Sequence, residues 1–181
     1  MMKEIIAIDI DDTINNFTEL YFESAKEFDK TLRNTGVVNP DEWVTRRFDW
    51  SKEEIIQFKK KYRAFVHANA KVKENVTKVL KKLQHKYEIW FVSARVKENF
   101  DLLFDGSLNW LKTNNIPFDK FFIETNKPEF LKDKNVAYFI DDNEKTCAEM
   151  QKIFNEKGKG QLLFLDEQLY RELIEEQNQK Q

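Results

Sequence analysis

The sequence predicts an α/β fold, with a mostly parallel sheet of about five strands, helices on both faces, and a helical block inserted after the first strand. Three observations predict it. From residue 87 onward, short apolar runs alternate with amphipathic helical stretches, the pattern of a Rossmann-like three-layer sandwich. Several of those runs end in carboxylate or hydroxyl residues, as strands do where the carboxyl edge of a parallel sheet holds a ligand. Between the first run and the second lie roughly 70 residues of helical periodicity, much longer than an ordinary crossover.

The elements follow in order. Ile5-Ile6-Ala7-Ile8 is a β-branched run that reads as a buried strand. Phe17, Leu20, Tyr21, Ala25, Phe28 and Leu32 recur at helical spacing. Asn39-Pro40-Asp41 has the form of a helix start, with proline at the first helical position. Ser51-Lys52-Glu53-Glu54 is a capping box ahead of Ile55, Phe58, Tyr62, Phe65 and Val66. Val72, Val76, Val79, Leu80 and Leu83 continue the period, so residues 16–85 read as helical throughout. Strands are then expected at residues 88–92, 118–123, 136–140 and 161–165. Helices are expected at residues 100–111, around Ala148 to Phe154, and around Leu169 to Ile174, before a polar tail over residues 177–181. The expected organisation is a core of residues 1–14 and 87–181 and a helical subdomain of residues 15–86.

Composition narrows the chemistry. Of the 181 residues, 41% are apolar and 14% aromatic, so the chain can bury a core. With 30 basic and 32 acidic residues the charge is balanced, which argues against a dedicated nucleic-acid binder. One cysteine, Cys147, excludes a disulfide framework and a cysteine zinc cluster. Two histidines, His67 and His85, exclude His-rich metal sites, and four scattered glycines leave neither GxGxxG nor a Walker loop. The opening apolar run is too short for a signal peptide, and no stretch has the length of a membrane span, so a cytoplasmic protein is expected.

The chemistry-bearing residues stand at the strand ends. The first strand ends in Asp9-Ile10-Asp11-Asp12-Thr13, the second in Ser93-Ala94-Arg95 and the fourth in Asp141-Asp142, while Lys127 follows the third. Carboxylates gathered in this way need a cation, and hard oxygen donors without His or Cys suit Mg²⁺. A lysine and a hydroxyl in the same place suit phosphate. Arg95 suits either a phosphate or a carboxylate partner.

The pattern Ile8-Asp9-Ile10-Asp11-Asp12-Thr13, Phe91-Val92-Ser93, Asn126-Lys127 and Ile140-Asp141-Asp142 resembles the four-motif signature of the haloacid dehalogenase-like phosphohydrolases. The resemblance implies that Asp9 is the nucleophile forming an aspartyl-phosphate and Asp11 the general acid and base. It assigns Ser93 and Lys127 to the phosphate, and Thr13, Phe17 and Arg95 are further candidates for binding the substrate. It places Mg²⁺ on the Asp9 carboxylate, the Asp11 backbone carbonyl and the Asp141-Asp142 pair, with Asp142 in the ligand position and Asp141 supporting it. Lys132 is the rival to Lys127. Family dehalogenases lack an Asp at position 11 and ion-pumping ATPases carry Thr there, so Asp11 points to phosphomonoester hydrolysis. Many members carry Gly where this chain has Asp12.

In size, position of the helical block and Asp-Asp motif, the chain is similar to the 5′(3′)-deoxyribonucleotidases. That similarity makes the block a cap that closes over small substrates. It makes Phe17 and at least one of Trp43, Phe48 and Trp50 candidates for stacking a base. The basic stretch from Lys59 to Lys86, with nine Lys and one Arg against one Glu, reads as a solvated face or as attraction for an anion. The expected partner is therefore a small phosphorylated substrate, a nucleoside monophosphate. No nucleic-acid polymer and no membrane are expected, and a homodimer is left open. The rival readings are a phosphatase of a sugar phosphate or other small metabolite, and a non-catalytic binding protein of the same fold.

Overall fold

A computed structural model of the chain describes residues 2–95 and 100–163. The expected helix around Leu169 to Ile174, the polar tail and the end of the last strand lie outside the described residues. Two compact units are formed, one by Asn16–Lys71 and the other by the residues on either side of it.

The α/β unit carries five parallel strands in the order β3-β2-β1-β4-β5. These are β1 (Ile5–Ile8), β2 (Glu88–Ser93), β3 (Lys120–Ile123), β4 (Val136–Ile140) and β5 (Gln161–Leu162). Alternation along the strands sorts side chains between two cores. Ile6, Ile8, Ile89 and Phe91 pack on one face with α3 (Val76–Leu83) and α4 (Phe100–Thr113). Ile5, Ala7, Trp90 and Val92 pack on the other with α5 (Lys127–Leu131) and α6 (Glu144–Lys157). The three layers are those expected. In the pairing of β1 with β4, Ile5 faces Val136 and Ile6 faces Tyr138, so Ala137 is an extra residue in β4.

The helical unit is shorter and less helical than its periodicity suggests. Val76, Val79, Leu80 and Leu83 bury their stripe in the sheet core, so α3 belongs to the α/β unit and not to an insertion ending at residue 86. The Asn39-Pro40-Asp41 start signal is not used. Those residues form a turn, because Val38 and Asn39 donate their N–H groups to the Arg47 carbonyl across a Val37–Phe48 bridge. Only a short 3₁₀ turn, Val44–Arg46, forms between α1 (Phe17–Thr31) and α2 (Lys52–Asn69). The Ser51 capping box forms as read: Ser51 Oγ accepts from Glu54 N at 3.2 Å and Glu54 Oε2 accepts from Ser51 N at 2.8 Å.

The unit's own core is aromatic. Tyr21, Phe28, Phe48 and Phe58 are buried, and Phe48 stacks on Trp50 with ring centroids 4.7 Å apart. Asp29 is 2% exposed and organises the irregular segment around this core. Its Oδ1 accepts from the Trp50 indole at 2.8 Å and its Oδ2 from Gly36 N–H at 2.8 Å.

Replacing Asp29 by Ala leaves two donors without this acceptor, one of them in the core. Each unmet buried donor costs about 1–3 kcal/mol. The Asp29→Ala protein is therefore expected to melt several degrees lower, at about 2–4 °C per kcal/mol for a chain of this size. Asp29→Asn, which keeps the carbonyl acceptor for the indole, should lose less. Equal melting temperatures for wild type and Asp29→Ala would remove this role.

Candidate active site

Because all five strands are parallel, β1, β2 and β4 deliver their carboxyl ends to one edge of the sheet. Asp9 continues β1, its N–H bonded to the Ile140 carbonyl at 2.9 Å, so Asp9 and Asp141 leave adjacent strands side by side. Lys127 arrives from the start of α5, where the Asn126 side chain accepts from Glu129 N and Pro128 fits the first turn. Its ammonium lies 2.7 Å from Asp9 Oδ1 and 2.6 Å from Asp141 Oδ2, and all three residues are buried. Asp142 is exposed beside them. Thr13 Oγ1 lies 3.1 Å from Asp9 Oδ2 and 3.3 Å from Asp142 Oδ1, and accepts from Asp142 N–H at 3.2 Å.

The charge in this cluster decides what it can hold. Oxygens of Asp9, Asp141 and Asp142 all lie within 4.8 Å of one another. At that separation and an effective dielectric constant near 20, each like-charge pair costs on the order of 3 kcal/mol. Three carboxylates and one ammonium leave two negative charges when all are ionised, the charge a divalent cation balances. The donors are hard oxygens only, which fits Mg²⁺. Burial, with the neighbouring Asp141 and Asp11 charges, raises the Asp9 carboxyl to about 7 against the opposing pull of Lys127. Burial also raises Asp142, helped by Asp141 and Asp12. For Lys127 the burial penalty on its charge is outweighed by Asp9 and Asp141, so the ammonium is held above its usual range. Burial near Asp141 raises the Cys147 thiol, whose Sγ lies 3.3 Å from the Asp141 carbonyl oxygen.

In the turn after Asp9 a residue other than glycine takes a left-handed backbone. Asp12 takes φ +63°, the left-handed region that favours glycine and that Asp and Asn tolerate best among other residues. Two contacts hold it there: Asp12 N–H donates to Asn15 Oδ1 at 2.9 Å, and Lys73 Nζ donates to the Asp12 carbonyl. The Asp11 side chain in the same turn is paired with Arg95. Arg95 Nη2 and Nε bond the two Asp11 carboxylate oxygens at 2.8 and 3.0 Å.

The structure thus brings together Asp9, Thr13, Lys127, Asp141 and Asp142. Ser93, the buried last residue of β2, stands at the same sheet edge. Lys132, the rival lysine, is exposed and paired with Glu129 at 2.5 Å. Phe17 packs within the helical unit, its ring 5.3 Å from Tyr21 and 4.8 Å from His67. Of the stacking candidates, Phe48 is a core residue of that unit, Trp50 is half-buried against the core, and Trp43 is 52% exposed. Sequence reasoning missed Asn15 and Ser107, both fully buried. Their signal was a small polar residue inside an apolar stripe: Asn15 after Ile14, and Ser107 one turn after Leu103.

No family model matches the chain. A nucleotidase of Clostridium acetobutylicum is 28% identical over 152 residues, covering 81% of this chain and 74% of its own. A hydrolase of Streptococcus pneumoniae TIGR4 superposes with a TM-score of 0.62 at 16% identity, covering 97% of this chain and all of its own. A haloacid dehalogenase-like family hydrolase, also from Streptococcus pneumoniae, gives 0.58 at 13% identity, covering 83% of this chain and 81% of its own. The chain has the haloacid dehalogenase-like fold. That fold accounts for the sheet order and for the strand ends at which the acidic cluster sits. Among the described residues, no helix is long and apolar enough to cross a membrane.

The raised Asp9 carboxyl makes a prediction about the cation. A divalent cation held by this cluster would compete with the proton that burial favours on Asp9, so apparent Mg²⁺ affinity is expected to rise with pH up to about 7 and level off above it. Isothermal titration at pH 6 in two buffers of different ionisation enthalpy should show net proton release. Affinity independent of pH between 5 and 8 would contradict it.

Proposed function

We propose that the protein is a Mg²⁺-dependent phosphomonoester hydrolase that works through an aspartyl-phosphate on Asp9 and takes a nucleoside monophosphate as substrate. The observation that carries it is the Asp9, Thr13, Lys127, Asp141 and Asp142 cluster. A nucleophilic carboxylate, one buried ammonium and a set of hard oxygen donors stand on a common sheet edge.

Each residue has a task in this reading. Asp9 attacks phosphorus, and the bond from phosphorus to the ester oxygen breaks. The leaving oxygen takes a proton from Asp11. Water then gives a proton to Asp11 and its oxygen to phosphorus, releasing inorganic phosphate and restoring Asp9. Lys127 offsets the charge that gathers between Asp9 and the phosphoryl oxygens. Bound Mg²⁺ supplies further charge neutralisation on those oxygens. Asp142 suits the direct ligand position, because it is exposed while both Asp141 oxygens are occupied. Lys127 lies 2.6 Å from one and Asn143 N–H 2.9 Å from the other. The Asp11 backbone carbonyl completes the expected ligand set. Ser93 is the expected hydroxyl donor to a phosphoryl oxygen.

The nucleotide class is supported by the nucleotidase relative, which matches over most of both chains. A cytoplasmic location accords with this reading.

Phosphate release from a panel of nucleoside monophosphates, sugar phosphates and aryl phosphates tests the proposal. Activity should require Mg²⁺, vanish in excess EDTA, and return poorly with Ca²⁺, whose looser coordination misplaces the nucleophile. Hydrolysis undiminished by EDTA, or a clear preference for sugar phosphates, would overturn the metal or the substrate assignment respectively. Asp9→Asn should abolish turnover, since an amide forms no acyl phosphate. Asp11→Asn should slow turnover of nucleoside monophosphates by about 10²–10⁴. Near-normal rates in either variant would remove that residue from its role.

A further inference from the structure

We propose that Arg95 is a positioning residue that acts on the reaction through Asp11 and is not a ligand of the phosphate. The inference rests on the phosphomonoesterase reading above and extends it to residues outside the acidic cluster.

Arg95 is a fixed post. It stands two residues beyond β2 with its side chain 2% exposed, while the Asp11 side chain is 22% exposed. All three nitrogens of its guanidinium donate a hydrogen bond. Nη2 and Nε hold the two Asp11 oxygens at 2.8 and 3.0 Å, and Nη1 is hydrogen-bonded to Ser107 Oγ. Ser107 is itself fully buried on α4, and its hydroxyl oxygen lies at hydrogen-bond distance from the Leu103 carbonyl. A third contact comes from Asn15, whose Nδ2 donates to Asp11 Oδ1 at 3.2 Å while its Oδ1 holds the Asp12 turn. The Asp11 carboxylate is thus held by its own loop, by the end of β2 and, through Ser107, by α4.

This arrangement has a definite consequence. A forked guanidinium sets the plane of a carboxylate, which a lysine ammonium on a flexible stem does not. The residue that must meet the leaving oxygen therefore has its orientation set by Arg95, whose hydrogen bonds go to Asp11 and Ser107. The two-point contact of an anion with the Nε–Nη2 edge of Arg95 is already taken by Asp11. Misplacing a proton donor by about 1 Å costs on the order of 10²-fold in rate. That loss falls on esters whose leaving oxygen needs the proton. It spares p-nitrophenyl phosphate, whose leaving group departs as a stable anion.

The experiment compares kcat/KM, which covers the steps through phosphorylation of Asp9, for a nucleoside monophosphate and for p-nitrophenyl phosphate. The proteins are wild type, Arg95→Lys, Ser107→Ala, Asp11→Asn and Asp11→Asn/Arg95→Lys, all with Mg²⁺ and each with its melting temperature. Arg95→Lys should lower the nucleotide value by about 10- to 100-fold and the aryl value by less than about 3-fold. Inhibition by inorganic phosphate should be unchanged. Ser107→Ala, which leaves the guanidinium in place but unbraced, should show the same selectivity more weakly. Adding Arg95→Lys to Asp11→Asn should lower the nucleotide value no further. The inference is overturned if both substrates fall together with weakened phosphate inhibition, if the loss persists in the Asp11→Asn background, or if Arg95→Lys behaves as wild type. A wild-type protein inert toward both esters removes the phosphomonoesterase reading and this inference with it. An active wild type with an unaffected Arg95→Lys removes this inference alone.

Discussion

The buried contact of Lys127 with Asp9 and Asp141 is the constraint on which the rest of the sheet edge depends. Two carboxylates leave adjacent parallel strands side by side, where their mutual repulsion and the burial of both would otherwise oppose the fold. One ammonium 2.7 and 2.6 Å away offsets part of that cost. It does not remove it, and the raised Asp9 carboxyl is the residue of the conflict. A site that is incompletely neutralised by its own side chains is suited to a cation and to an anionic phosphoryl group arriving together.

The loop after β1 turns this local problem into two separate carboxylates with separate surroundings. Asp9 lies among Lys127, Thr13 and the carboxylates of the fourth strand. Asp11, two residues on, is held by Arg95 and Asn15. Two residues of the same type, so close in sequence, thereby meet an ammonium in one case and a guanidinium fork in the other.

The helical unit solves a different problem. Its roughly 55 residues are too few for a large core, and the space is filled with rings: Tyr21, Phe28, Phe48, Trp50, Phe58 and Tyr62 pack against one another. Large planar side chains bury more area per residue than aliphatic ones. One buried carboxylate, Asp29, then fixes the segment that has no regular structure. Aromatics that look available for a ligand in the sequence are in large part occupied by this packing.

The sequence by itself determined the periodic elements and the chemistry-bearing strand ends. Ile5 to Ile8 and Val136 to Ile140 announced buried strands, Ser51 to Glu54 announced a helix start, and Asp9, Lys127 and Asp141-Asp142 announced an acidic site with one cation. These are local signals, and each is legible because a strand end or a cap depends on neighbours a few residues away. What only the tertiary structure decided depends on residues far apart in the chain. The stripe of α3 looks the same whether it faces a helical unit or a sheet, and only packing on Ile6 and Ile89 placed it in the α/β unit. Pro40 marks a helix start and a turn equally well, and the Arg47 carbonyl chose the turn. Arg95 suits a phosphate or a carboxylate by its type, and Asp11, 84 residues earlier, settled its partner. Trp50 suits a base or a core by its type, and the partner of its indole N–H is Asp29, 21 residues earlier. In each case one side chain has two chemically equivalent uses, and the physical reason for the outcome is a partner that no window of sequence contains.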